Sequence, residues 1–173
     1  MKTIFALCEK ELEKVEIEIS RLEIAINQYK SGANPFEHFE NTDKEYWFSM
    51  IIGMPIHAAY CGIESVIERL LKNIDKRTPS GDEFHKEMLL AASVDVDNLR
   101  PAIIGDKTLE ELNNLRAFRH VIRKRYSHEL GLERIVENGE RIIKLFPLLT
   151  AEIREFQENY QSFQEKGKKP PRP

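Results

Sequence analysis

The chain has 173 residues, 32% charged and 41% hydrophobic, a balance that excludes a disordered protein and suits one domain with a sizeable core. Its formal net charge of −3 means that an anionic partner must be met by a local basic patch and not by bulk charge. Eight glycines and eight prolines are few for this length and favour helix over a turn-rich β fold. The only cysteines, Cys8 and Cys61, have no CxxC pairing and read as reduced core residues. The opening sequence places glutamates where a signal peptide needs apolar residues, and no window approaches the ~18 uncharged apolar residues of a membrane span. A soluble, cytoplasmic protein without a membrane association is expected.

Residues 4–30 place Ile4, Leu7, Cys8, Leu12, Val15, Ile19, Leu22, Ile26 and Tyr29 at three- and four-residue steps, which predicts a long amphipathic helix. After a loop over 33–41, Thr42 and Glu45 form a capping-box pattern for a strongly apolar helix running to Ile74. Pro55 is expected to kink or split that helix near Gly53, and the helix itself to be the most buried element. Asp75 to Gly81 is a turn, and Ser80 with Glu83 caps a shorter helix over 82–93. Residues 94–106, with Pro101 and Gly105, read as an ordered connection containing up to one helical turn. Thr108 and Glu111 open a helix over 109–127, and a last helix runs from Leu132 to Phe163 with a bend near Pro147. The expected architecture is an all-α, up-and-down bundle of four to five helices spanning 1–164. A basic, proline-rich tail over 165–173 is expected to be disordered.

The 109–127 helix carries the chemistry. Five Lys and Arg residues fall between Arg116 and Arg125 with no Asp or Glu among them. At 100° per residue, Leu112, Leu115, Phe118, Ile122 and Tyr126 form the core face. Arg116, Arg119, His120 and Arg123 make a stripe beside that face, with Lys124 at its outer edge. Arg119 lies nearest the apolar border, where a guanidinium is costly unless it meets a carboxylate, a phosphate or a partner chain. A solvated basic face with snorkelling stems is the bland alternative. His57 and Tyr60, on the apolar helix, read by themselves as satisfied core groups. No histidine, cysteine or carboxylate spacing suggests a metal, and no glycine-rich phosphate loop appears, so neither a metal nor another cofactor is expected.

The run Arg119-His120-Val-Ile-Arg123-Lys124-Arg125-Tyr126 resembles the active-site motif of HEPN-domain proteins, in their HepT-like toxin branch. His57-Ala-Ala-Tyr60-Cys-Gly62-Ile-Glu64 is similar to the branch's second-helix segment. Pro79-Ser-Gly81-Asp-Glu-Phe84-His85 is similar to its turn motif, with Phe84 where tryptophan is usual, and Arg100-Pro101 also has a counterpart. The likeness covers about 50–150 in order. It implies a metal-independent endoribonuclease acting on RNA as a homodimer, within a toxin–antitoxin or defence system. It also implies a minimal nucleotidyltransferase antitoxin that adds AMP to the motif tyrosine, here Tyr126.

On that footing Arg119, His120 and Lys124 are the candidate catalytic residues, and Arg116, Arg123, Arg125 and His85 the candidate RNA- and phosphate-binding ones. An arginine can hold the scissile phosphate in bidentate fashion, and a histidine can move the ribose 2′-OH proton. One departure stands out. The position of the branch's histidine, five after the arginine, is Lys124. A lysine with an ordinary pKa of about 10.4 is a poor base at neutral pH. His120 points in nearly the same direction as Lys124 but lies roughly 6 Å nearer the helix N-terminus, and His128 sits at the helix end. Two readings stay open: a ribonuclease, attenuated by this change, or a catalytically inactive module that binds RNA, a nucleotide or a nucleotidyltransferase.

Overall fold

The computed structural model describes residues 1–33, 43–76, 81, 83–124 and 131–167, with the backbone alone at 120–124, 161 and 164–167. Among the described residues there are five helices: α1 (Lys2–Lys30), α2 (Lys44–Ile74), α3 (Phe84–Ala92), α4 (Asp106–Lys124) and α5 (Leu132–Gly167). The chain is an all-α bundle. α2 touches the other four helices, α1 and α5 pack on it and on each other, and α3 packs between α2 and α4.

The apolar stripe of α1 buries Phe5, Cys8, Leu12, Val15, Ile19, Leu22 and Ile26. Leu7, expected in this stripe, is 42% exposed, and Phe5 takes the inward position instead, its ring edge-on to Tyr160 of α5 at 6.2 Å. Two glycines let the helices close up. A Cβ on Gly62 would lie 2.5 Å from Cγ2 of Val15, and one on Gly139 would lie 2.7 Å from Cδ1 of Ile26. A side chain at either position would have to displace the neighbouring side chain it meets.

α2 is the most buried element, as its composition predicts, with sixteen buried residues from Phe48 to Ile74. It contains an 18-residue window of mean hydropathy 1.4, so by length and composition it could cross a membrane, contrary to the expectation that no window comes close. More than half of that window is buried among the other helices, which marks it as a core helix. Its first turn is capped by Asp43, whose carboxylate accepts from the Tyr46 amide at 3.0 Å, and not by the Thr42–Glu45 box. Thr42 and the 34–41 part of the expected loop lie outside the described residues. Pro55 does not split the helix, which runs unbroken through it. The ring is buried, and its cost is confined to the missing N–H that would have bonded Ile51.

The remaining boundaries differ by a turn or less. α3 begins at Phe84 with no side-chain cap from Glu83, and Ser80 lies outside the described residues. The chain enters it through Gly81 at φ +101°, a conformation that favours glycine. α4 begins at Asp106, so Thr108 is inside the helix and fully buried instead of capping it. α5 continues through Pro147 to Gly167, past the expected end at Phe163, and residues 168–173 of the tail are outside the described residues.

The connection from α3 to α4 contains no helical turn. It folds back on itself through an antiparallel bridge between Val96 and Arg100, with Asn98 at φ +58°. The Ala92 carbonyl then accepts from the Ile103 and Ile104 amides at 2.7 and 3.2 Å. Arg100 is buried at its centre. Its Nε and Nη2 donate to the two Asp75 carboxylate oxygens at 2.6 and 2.8 Å, and the remaining N–H groups reach the carbonyls of Ala91, Val94 and Pro101. Nearly every donor of the guanidinium is used, which is what makes its burial tolerable. This knot fixes the end of α2 against the end of α3 and so sets where α3 lies.

Candidate active site

Arg119 projects from α4 toward α2, and Nη1 donates to Oε2 of Glu64 at 2.7 Å. The sequence problem posed by an arginine at the core border is solved by a carboxylate. Glu64 is itself buried, its side chain 8% exposed, while Arg119 is 19% exposed. The guanidinium also leans over the Tyr60 ring, with Cζ 5.7 Å from the centroid, one turn before Glu64 on α2.

His85 completes the group from the first turn of α3. Nδ1 lies 2.9 Å from Oε1 of Glu64, and the side chain is 39% exposed. Arg119 Nη1 sits 3.5 Å from Nδ1 and 3.4 Å from Nε2 of the same ring. Phe84 stands edge-on to the imidazole at 5.1 Å. Three helices therefore contribute one charged or titratable side chain each to a single carboxylate-centred cluster.

The cluster is not fully satisfied. The Tyr60 hydroxyl, Glu64 Oε1 and Arg119 Nε are all buried without an aligned hydrogen bond. Glu64 Oε1 lies at ion-pair distance from Nδ1 of His85, but the two make no aligned hydrogen bond. The Tyr60 hydroxyl lies beside the same carboxylate. Burial first, and then Glu64, push its phenol well above its ordinary value, with Arg119 and Arg116 opposing. Buried polar groups left short of partners are rare in proteins, and here three of them gather around one carboxylate.

Next to this group, Cys61 Sγ lies 3.4 Å from Nδ1 of His57. Cys61 is half-buried and not a core residue, and its thiol is raised by burial first, with Arg119 lowering it and Glu64 raising it. His57 is half-buried and bonded to that thiol.

The sequence-predicted residues are only partly brought together. Arg119 and His85 meet directly. Arg116 stays on the helix surface beside them, with Nε donating to Asn113 at 3.3 Å. His120, Arg123 and Lys124 belong to α4, but their side chains lie outside the described residues, as do Arg125, Tyr126 and His128 altogether. Glu64 and Tyr60 were not placed in the site by the sequence. The signal for Glu64 was present, since a carboxylate between Ile63 and Val66 in an apolar helix requires a cation somewhere else in the fold.

A groove of about 560 Å³ between α4 and α5 is not part of this cluster. It is lined by Glu111, Glu137 and Glu140 against Lys107, Arg141 and Lys144, and this balance of charge offers phosphate no net attraction.

The family described as HepT-like protein matches residues 51–160, which takes in most of α2, all of α3 and α4, and most of α5. The chain belongs to the HepT-like family of the HEPN superfamily. The matched region contains every member of the Glu64–His85–Arg119 cluster and the Asp75–Arg100 knot that positions it. α1, outside the match, packs against α2 from the other side and contributes no side chain to the cluster. No curated protein and no solved structure matches the chain.

Proposed function

We propose that this HepT-like protein is a metal-independent endoribonuclease of a toxin–antitoxin or defence system, slowed by the lysine at position 124. The observation that carries the reading is the Arg119 guanidinium, oriented by buried Glu64 at the edge of the fold with an imidazole against it. A guanidinium so held can receive a phosphodiester without reorganising, and a preorganised cation is the largest single aid to phosphoryl transfer. Arg116 and the basic residues that follow Arg119 on α4 supply further positive charge along the path of the RNA backbone. The experiment is incubation of the full chain with a structured RNA in the presence of EDTA. Specific cleavage that disappears with Arg119→Ala supports the reading, and no cleavage under any condition removes it.

Lys124 favours a second reading, in which the same cluster binds RNA or a nucleotide without cutting it. That module would bind RNA with a salt dependence reporting several phosphate contacts and release no product.

We further propose that the chain works as a homodimer and is restrained by a minimal nucleotidyltransferase that modifies Tyr126. Leu90 on α3 and Val94 in the connection that follows it are 55% and 45% exposed, an apolar pair available to a second copy. Sedimentation at micromolar concentration and mass spectrometry of protein co-expressed with its genomic neighbour test these two statements. A monomer, or AMP found at another residue, overturns them.

A further inference from the structure

We propose that His85 is the proton acceptor of the cleavage reaction, supplied by α3 to do the work that Lys124 cannot do from α4. The inference deepens the ribonuclease reading and rests on it.

Three observations lead to it. The buried Glu64 carboxylate faces Nδ1 of His85 at 2.9 Å, and a carboxylate, which only accepts, assigns the ring proton to Nδ1. Nε2 is then the ring nitrogen left to accept a proton, and the guanidinium proposed to hold phosphate stands against the ring, its Nη1 3.5 Å from Nδ1 and 3.4 Å from Nε2. The arrangement is that of a histidine oriented by an acid, with the base nitrogen at the place where the reacting group binds. Exposure is graded in the sense a substrate needs: Glu64 is 8% exposed, Arg119 19% and His85 39%, so the imidazole forms the open rim and the carboxylate the floor. The third observation is Lys124 itself, at the position of the branch's usual histidine. An ammonium there can hold phosphate but is charged at neutral pH and has no lone pair to offer.

The groups facing His85 are Glu64 from α2 and Arg119 from α4, with Tyr60 and Cys61 of α2 bordering the same pair and Phe84 on its own helix. In the step proposed, a ribose 2′-oxygen attacks the adjacent phosphorus and its proton passes to Nε2 of His85. The P–O5′ bond breaks, and the leaving 5′-oxygen takes a proton from water. The hydroxide left behind takes the proton back from the imidazolium. The products are a 2′,3′-cyclic phosphate end and a 5′-hydroxyl end. Glu64 is a positioning residue: it holds the ring and stabilises the imidazolium as it forms.

The test uses the full chain in EDTA with a structured RNA under single-turnover conditions, and the same RNA fully 2′-O-methylated to measure binding alone. His85→Gln is expected to slow cleavage by about 10²–10⁴-fold, with binding of the methylated RNA changed by less than about threefold. Added imidazole should restore part of the activity of His85→Ala, which a merely structural role would not allow. Glu64→Gln should slow cleavage more than it weakens binding of the methylated RNA, and added imidazole should not rescue it, because the ring is still present and only its orienting carboxylate is lost. Cleavage by His85→Gln within about fivefold of wild type, or a loss matched by an equal loss of binding, overturns the proposal. In either case abolition by Arg119→Ala leaves the ribonuclease reading standing. No cleavage by the wild-type protein overturns both.

Discussion

Glu64 and Arg119 are 55 residues apart in the chain and 2.7 Å apart in the fold, where they tie α2 to α4 beside the His85 ring of α3. The pair solves two problems at once. A buried carboxylate gains a cation, and a guanidinium is presented to solvent in a fixed direction.

Removing one partner strands the other. Glu64→Ala leaves Arg119 partly buried with its Nε already unbonded. The expected loss is about 3 kcal/mol, the low end for a broken buried pair because Arg119 keeps some contact with water. For a chain of this size that lowers Tm by roughly 6–12 °C, measurable by thermal unfolding. A Tm within about 2 °C of wild type would show that the pair has no such weight.

Arg100 should tolerate no cationic substitute. Lysine cannot span both Asp75 oxygens and three carbonyls, so Arg100→Lys is expected to cost about 3–5 kcal/mol, nearly as much as breaking the pair outright. Urea unfolding of the variant checks this, and a cost under about 1 kcal/mol would mean the fork geometry is unimportant.

Gly62→Ala drives a methyl into Val15, whose Cγ2 lies 2.5 Å from the new Cβ. The overpacked interface should lose about 1–3 kcal/mol. Val15→Ala on the same background should recover part of that loss, so the two changes should couple in a double-mutant cycle. Additive losses would place the strain elsewhere.

Alkaline pH should unfold the protein through its buried thiol. Burial raises Cys8 from 9.0 to about 11, with Arg69 opposing. The folded form therefore holds a proton that the unfolded chain gives up, so stability is full below pH 9 and falls as pH rises toward 11. Two units correspond to about 2.7 kcal/mol at most. The raised Tyr60 phenol adds to the decline in the same direction above its ordinary value. Cys8→Ala should be less stable at pH 7 but show a shallower fall between pH 9 and 11 in denaturant midpoints. An equally steep fall would acquit Cys8.

Much of this was legible in the sequence because it is periodic. The stripe of α1 and the apolar mass of α2 announce themselves at three- and four-residue steps, and only Leu7 and Phe5 exchange places. Caps were less legible. Thr42 and Thr108 each matched a capping pattern, yet Asp43 caps α2 and Thr108 is buried inside α4, while Ser80 lies outside the described residues. Such patterns describe a local option that packing can overrule. Arg119 was found through its position on a helical wheel. Its partner was not: a carboxylate in the apolar run of α2 signals that a cation is needed, but which cation meets Glu64, or Asp75, is decided only by the tertiary fold.

The knot around Arg100 has a consequence for the precision of the site. α3 has nine residues and is gripped at its C-terminal end, where Ala91 and Ala92 give their carbonyls to Arg100, Ile103 and Ile104. His85 stands at the opposite end, so the helix is a lever with its fulcrum at Arg100. Seven residues of helix make an arm of about 10 Å, and a tilt of about 10° at the fulcrum carries the imidazole nearly 2 Å from Glu64. The accuracy with which His85 meets its carboxylate is therefore set some distance away, by how firmly one buried arginine holds the far end of the arm.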